Sequence, residues 1–332
     1  MENEQTADNR KKDHINLALA SQIAETDKRF YYEPLIGSMS DIDVGVNFLG
    51  KKLSAPIWIS SMTGGTAMAY DINHKLAKAC KQYGLGMGLG SCRSLLDSNA
   101  RFKDFDLRES IGSQPLFANI GIAQVEKLLA DNQHKKLVNL VSSLQADGLI
   151  VHINPLQEWL QPEGDKILNT PIETLTKLLG FVDFSIIVKE VGQGFGPKSM
   201  QALLELPLAA IDFAAHGGTN FSKVELARSK NEKINPYNGI SQIGHQAIEM
   251  IGFANEALST ASNVACNNFI ISGGVSGFLD GHYLMAKLNA PCIYGQGNAF
   301  LQAAIKGYDE LCAYIETQIE GLKMAKSYLT VK

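Results

Sequence analysis

Between positions 152 and 158 the sequence places His152, Asn154, Gln157 and Glu158, directly after the apolar run Leu149, Ile150 and Val151. An imidazole and two amides can hydrogen-bond a polar ligand, and a carboxylate can hold a hard divalent cation. A buried strand that breaks into such residues either caps an ordinary loop or builds a site. Taken singly, His152 also reads as a hydrogen-bonded core histidine, and Glu158 as a carboxylate offsetting the positive end of a helix. Lys189 closes a second apolar run, SIIVK at 185–189. A lysine there is either a member of a core ion pair or a cation presented to the electron-rich edge of a bound ring. Two glycine-rich turns, SGGVSG at 272–277 and GQGNAF at 295–300, each lead from an apolar run into a helical segment. Their backbone N–H groups and helix N-termini can receive a phosphate, or the glycines serve only to turn the chain.

The elements that must position these groups recur along the chain. Eight short runs read as strands: 55–61, 85–90, 115–120, 147–153, 185–191, 209–215, 267–274 and 291–295. Most are apolar throughout rather than alternating, as expected for strands covered on both faces of a parallel sheet. Helical periodicity fills 69–83, 123–130, 134–145, 171–182, 197–206, 244–258 and 278–289, with a closing helix around 301–327. Pro171 suits a first helical turn. Strands alternating with helices predict an α/β fold, a (β/α)8 TIM barrel. An N-terminal extension precedes it, and a long polar loop follows strand six. The expected organisation is an N-terminal arm and lead-in segment at 1–54 and a single catalytic barrel domain at 55–332. In such barrels the site lies at the C-terminal ends of the strands, with phosphate often held after the seventh and eighth.

Composition narrows the classes. The 332 residues are 45% hydrophobic and 19% charged, with a formal net charge of -4, which gives no electrostatic case for nucleic acid. The five cysteines form no Cys-x-x-Cys pair, so neither a disulfide framework nor a zinc site is suggested, and a cytoplasmic setting is the default. The N-terminus has no signal-peptide core, and no apolar run is long enough for a membrane-spanning helix.

Gathered on one face, the strand ends suit a phosphorylated planar cofactor. Ser61, Met62, Thr63 and Gly64 line one side, and Ser91 and Asn119 offer hydrogen bonds to a polar ring edge. Flavin mononucleotide (FMN) suits the pattern better than a dinucleotide. GLGMGLG at 84–90 lacks the acidic partner of a dinucleotide-binding fingerprint.

RKKDH (10–14), SMTGG (61–65), GSCR (90–93), HINPLQE (152–158), KEVG (189–192), GGTNF (217–221) and SGGV (272–275) occur in this order, nearly all at successive strand ends. Together they resemble the type 2 isopentenyl diphosphate isomerases, over nearly the whole chain. The resemblance implies interconversion of isopentenyl and dimethylallyl diphosphate with reduced FMN and Mg2+, NADPH serving as reductant and the subunits forming a homo-oligomer. It implies that Arg10, Lys11, His14 and Arg93 hold the diphosphate, with His152, Asn154 and Gln157 lining the substrate. Glu158 would hold Mg2+. Thr63, Ser91, Asn119, Lys189 and Thr219 would bind FMN, with Gly274, Ser276, Gln296 and Gly297 near its phosphate. Reduced FMN would be the main acid–base group, with Gln157 and Glu225 assisting proton transfer.

Three positions depart from the family pattern. Cys92 stands where Gln is usual, Ser276 where Arg is common, and Phe221 where Trp is frequent. Without the arginine, FMN is expected to be held more weakly or by backbone alone. AHGGTN (215–220) also resembles the HGG motif of FMN-dependent 2-hydroxy acid oxidases, in which His216 would be the base. Those enzymes follow HGG with arginine, whereas Thr219 stands here. A flavin-binding barrel without catalysis is the third reading.

Overall fold

Alternate residues of a strand point to opposite faces, so a barrel strand must feed its interior and its helical coat in turn. The computed structural model describes residues 17–19, 21, 23, 25–61, 67–228 and 237–332, and in it this alternation is regular. In chain order the strands are β1 Phe30–Tyr32, β2 Val46–Phe48, β3 Lys51–Leu53, β4 Ile57–Ile59, β5 Gly86–Gly88 and β6 Leu116–Gly121. They continue with β7 Gly148–His152, β8 Ser185–Lys189, β9 Ala210–Asp212, β10 Phe269–Ser272, β11 Cys292–Gln296 and β12 Leu329–Val331. Strands β4 to β11 close a parallel barrel in sequence order, sealed where Tyr294 of β11 pairs with Ile57 of β4. Each of the eight expected runs supplies one of these strands.

Trp58, Phe117, Ile150, Ile187, Ala210, Ile270 and Ile293 point inward and form one buried cluster. Their neighbours Ile57, Ile59, Leu116, Ala118, Leu149, Val151, Ile186 and Val188 point outward into the larger core beneath the helices. Glycine in β5 follows from the same packing. A Cβ on Gly86 would lie 2.5 Å from the Trp58 ring, which already fills that part of the interior. The edge-to-face contact of Trp58 with Phe117, at 6.0 Å between centroids, completes the floor.

The antiparallel hairpin β2–β3 plugs the N-terminal end of the barrel. Phe48 and Leu53 are buried in the interior cluster, and Phe48 meets Trp58 at 6.4 Å between ring centroids. Strand β1 pairs antiparallel with β12, tying residues 30–32 to the end of the chain.

Helices follow the expected periodicity, with local differences. Thr170 caps the helix Pro171–Leu179 through a reciprocal pair with Glu173. Gly307, at φ 150°, divides the closing segment into Asn298–Lys306 and Tyr308–Tyr328. The polar stretch after β9 contains a helix, Phe221–Arg228, and a further short helix, Pro155–Leu160, follows β7. Among the described residues no helix is long and apolar enough to cross a membrane.

Because Phe48 is buried against the barrel floor, Phe48→Ala is expected to cost about 3–5 kcal/mol in chemical denaturation. A cost near the roughly 0.5 kcal/mol of a surface change would show that the hairpin does not plug the barrel.

Candidate active site

Two positions beyond the apolar floor, the inward-facing residues become polar or small. Ser60, Gly88, Asn119, His152, Lys189, Asp212, Ser272 and Gly295 each stand two residues after an interior position, at the C-terminal mouth. Above them lie two cavities, of about 310 Å³ and about 210 Å³, which share Ser61, Lys189, Val191 and Phe221 as walls. The larger is lined by Thr219, Gly274, Ser276, Gln296 and Gly297, and the smaller by Ser91, Asn119, His152 and Gln157.

Backbone forms much of the larger cavity's wall. Gly217 and Gly274 face each other so closely that a Cβ on Gly217 would lie 3.2 Å from the Gly274 Cα. Gly273 (φ 86°) and Gly274 (φ 71°) hold left-handed conformations that favour glycine, and a Cβ on Gly273 would lie 2.1 Å from the Ala215 carbonyl. The hydroxyls of Ser60 and Ser61 are buried without hydrogen-bond partners beside this cavity.

The buried charges sit between the floor and the cavities. Lys189 donates to the Glu190 carbonyl at 2.6 Å. Burial pulls its ammonium below the usual lysine range, opposed by Asp212 and Glu190. Asp212 is fully buried, accepts from the Ser272 hydroxyl, and is raised by burial against the pull of Lys189. His152 Nδ1 lies 2.8 Å from Asn119 Oδ1, and the Asn119 amide donates to the Leu89 carbonyl at 2.9 Å. Burial and the nearby Lys189 charge push the His152 imidazole down, to about 3.

Beside the smaller cavity, the helix Pro155–Leu160 packs against Phe221–Arg228 and two carboxylates come under the control of amides. Asn154 donates to Gln157 Oε1 (3.1 Å) and to Glu158 Oε1 (3.0 Å), while the Asp165 backbone N–H donates to Glu158 Oε2 (2.7 Å). Glu225 accepts from Gln157 at 3.1 Å, from Gln161 at 2.8 Å and from Arg228 at 2.8 Å. Arg93, more than half exposed, pairs with Asp165 at 2.9 Å. Among the described residues no group of three or more His, Cys, Asp or Glu side chains could hold a metal ion.

Comparison with known proteins places the chain. No family model matches it. The isopentenyl-diphosphate delta-isomerase of Rickettsia felis is 34% identical over 323 residues, covering 95% of this chain and 90% of that protein. The enzyme of the same name from Rickettsia prowazekii is 34% identical over 333 residues, covering 98% and 94%. The chain belongs to the isopentenyl-diphosphate delta-isomerase family. A solved mandelate oxidase carrying an FMN adduct shares the fold, with a TM-score of 0.58 at 13% identity over 92% of this chain and 88% of that one.

Within this isomerase family member, the expected residues separate into groups. Ser61, Ser91, Asn119, His152, Gln157, Lys189, Thr219, Gly274, Ser276, Gln296 and Gly297 line the cavities. Asn154, Glu158 and Glu225 are buried; Asn154 and Glu225 bond Gln157, Glu158 is held by Asn154, and Arg93 lies outside on Asp165. Arg10, Lys11, His14, Met62, Thr63 and Gly64 lie outside the described residues. Ser276 lines the cavity, yet its hydroxyl and its N–H both donate to Asp280, so the side chain is turned from the role an arginine would fill. Burial pushes the Cys92 thiol up to about 12, which leaves it unreactive at neutral pH. His216 lines neither cavity, and its backbone bridges to Gln246. Ser60 and Asp212 belong to the site's polar layer and were not expected. They follow at period two from Trp58 and Ala210, whose inward facing only the fold reveals.

The residues present suit FMN. Paired glycine turns offer backbone N–H groups, two buried hydroxyls await partners, and a lysine stands between the cavities. For Mg2+, Glu158 offers a single carboxylate whose two oxygens are engaged by Asn154 and the Asp165 N–H, so an ion there would have to displace one of these donors and take its remaining oxygens elsewhere.

A folded His152 that titrates at about 3 refuses a proton that the unfolded chain accepts near 6.5, so stability falls as pH drops through that window. NMR is expected to show the neutral imidazole from about pH 8 to about pH 5. A midpoint close to 6.5 would contradict this effect of desolvation and Lys189.

Proposed function

We propose that this chain interconverts isopentenyl diphosphate and dimethylallyl diphosphate, using reduced FMN held at the barrel mouth, Mg2+ on Glu158 and NADPH as the reductant. The supporting observation is convergence. Residues singled out on separate chain segments line two cavities that share Lys189, Ser61 and Phe221. The larger cavity takes the cofactor phosphate at Gly274, Gln296 and Gly297, and the smaller takes the hydrocarbon end of the substrate.

The reaction adds a proton at one carbon and removes one from another, with no net redox change. FMN supplies, when bound and reduced, a flat electron-rich face and an exchangeable proton. Lys189 stabilises negative charge on the ring edge. His152 is neutral and fixed by Asn119, so it adds no positive charge that would oppose a cationic transition state. Gln157, held by Asn154 and joined to Glu225, orients the substrate, and Glu225 is the carboxylate able to hold a proton on that side. Arg10, Lys11, His14 and Arg93 hold the diphosphate, so Arg93 exchanges Asp165 for phosphate oxygens. Ser61, Met62, Thr63, Gly64, Ser91, Asn119 and Thr219 would bind FMN, with Ser276 near its phosphate. Residues 55–332 would be the single catalytic domain and 1–54 its N-terminal arm and lead-in segment, the latter carrying the hairpin that plugs the barrel. The protein acts in the cytoplasm as a homo-oligomer, and NADPH need only visit the flavin.

The test is turnover under anaerobic conditions. Protein loaded with FMN and Mg2+ and reduced with dithionite is given isopentenyl diphosphate in D2O and followed by proton NMR. Dimethylallyl diphosphate carrying deuterium is expected. Absence of product with FMN still bound would leave a flavin-binding barrel without this activity.

Two variants check the roles. Glu158→Gln is expected to lose Mg2+-dependent turnover while FMN binding persists, and unchanged turnover would remove Glu158 from the metal site. Arg93→Ala is expected to raise KM for the diphosphate by about tenfold to a hundredfold, since a hydrogen bond to a charged group is worth about 1.5–3 kcal/mol. An unaltered KM would leave Arg93 as a partner of Asp165 alone.

A further inference from the structure

Behind the cavity wall lies a carboxylate that the proposed chemistry leaves without a task. Asp212 ends β9, is fully buried, and reaches neither cavity. One of its oxygens takes the Ser272 hydroxyl, the Ala214 N–H lies close enough to favour its charge, and the other oxygen is buried without a hydrogen-bond partner of good geometry. An ionised oxygen left so would be costly unless a cation compensated it. Across the β8–β9 ladder the register partner of Asp212 is Lys189, which is also buried and lines both cavities.

Among the described residues, the other charged or titratable groups around Lys189 are Glu190 on its own strand and His152 on β7. Glu190 is turned to the backbone: one of its oxygens accepts from the N–H groups of Gly192, Gln193 and Gly194. His152 is held by Asn119 and carries no negative charge. Asp212 faces Lys189 directly across the ladder and is the stronger of the two opposing charges.

We infer that Asp212 is a positioning residue that keeps Lys189 protonated, so that an ammonium faces the ring cofactor. Burial of both groups favours their neutral forms, and their mutual attraction opposes this. Removing the carboxylate removes that opposition, and Lys189 loses its proton. The inference rests on the reading that FMN occupies this mouth.

The experiment measures the reduction potential of FMN bound to the parent, Asp212→Asn, Lys189→Met and the double variant. Asp212→Asn is expected to bind FMN but to shift the potential to more negative values by about 30 mV or more, a tenfold change for a two-electron couple. The difference from the parent narrows as pH is lowered, because acid returns the proton to Lys189. In the Lys189→Met background the same substitution shifts nothing further. A purely structural Asp212 would leave the potential where it was. An unchanged potential overturns the inference, and so does a more positive one, which would mean that Lys189 stays charged alone. Either result leaves the FMN reading standing, whereas a parent that binds no FMN removes both. Should Asp212→Asn fail to fold, recovery of folding in the double variant supports the coupling, and failure there too overturns it.

Discussion

The apolar floor made by Trp58, Phe117 and the inward isoleucines is what permits a polar layer one step above it. A barrel interior offers one residue in two from each strand. Filling the lower positions with large side chains excludes water from beneath, and the hairpin residues Phe48 and Leu53 close the end. Lys189 and Asp212 then stand on a dry base, where a charge finds few partners and each one it finds counts for more. The same layering explains the glycines. Gly88 and Gly295 occupy interior positions at the level of the cavities, where side chains would meet Ile150, Ser61 or Ser60.

Much of this was legible because doubly covered strands are apolar throughout and recur between helices. The strand assignment survived even at β5, where Gly86 and Gly88 carry no side-chain signal, because Leu85, Met87 and Leu89 face the outer core. Other features were hidden for physical reasons. The β1–β12 pair joins three-residue strands from opposite ends of the chain, and the short hairpin β2–β3 is stabilised by burial against a barrel floor built from distant strands. The helix Phe221–Arg228 is charged along its length, so its periodicity is weak, yet it buries Glu225 through contacts made by another helix. Asp212 sits inside the apolar run AAIDFAA, where sequence alone does not say which face it takes.

The departures at Cys92 and Ser276 acquire a local reading. Cys92 is a buried thiol within the turn after β5, its N–H bonded to the Asn119 carbonyl. Ser276 is occupied with Asp280, whose other oxygen is bound by Arg29 at 2.6 Å, from the segment just before β1. A positive charge thus reaches the turn at 272–277 from the N-terminal side, indirectly and through a carboxylate. On the proposed reading, direct contact with a phosphate would fall to the backbone of the two glycine turns.

The account's central claim is that the polar layer holds a flavin with its electron-rich edge on Lys189 and its phosphate on those turns. A crystal structure of the protein grown with FMN tests it most directly. The account predicts the N1–C2=O edge within hydrogen-bond distance of Lys189 Nζ, and the phosphate against the backbone of Gly274 and Gly297. A flavin bound with its phosphate elsewhere, or with that edge turned away from Lys189, would contradict it.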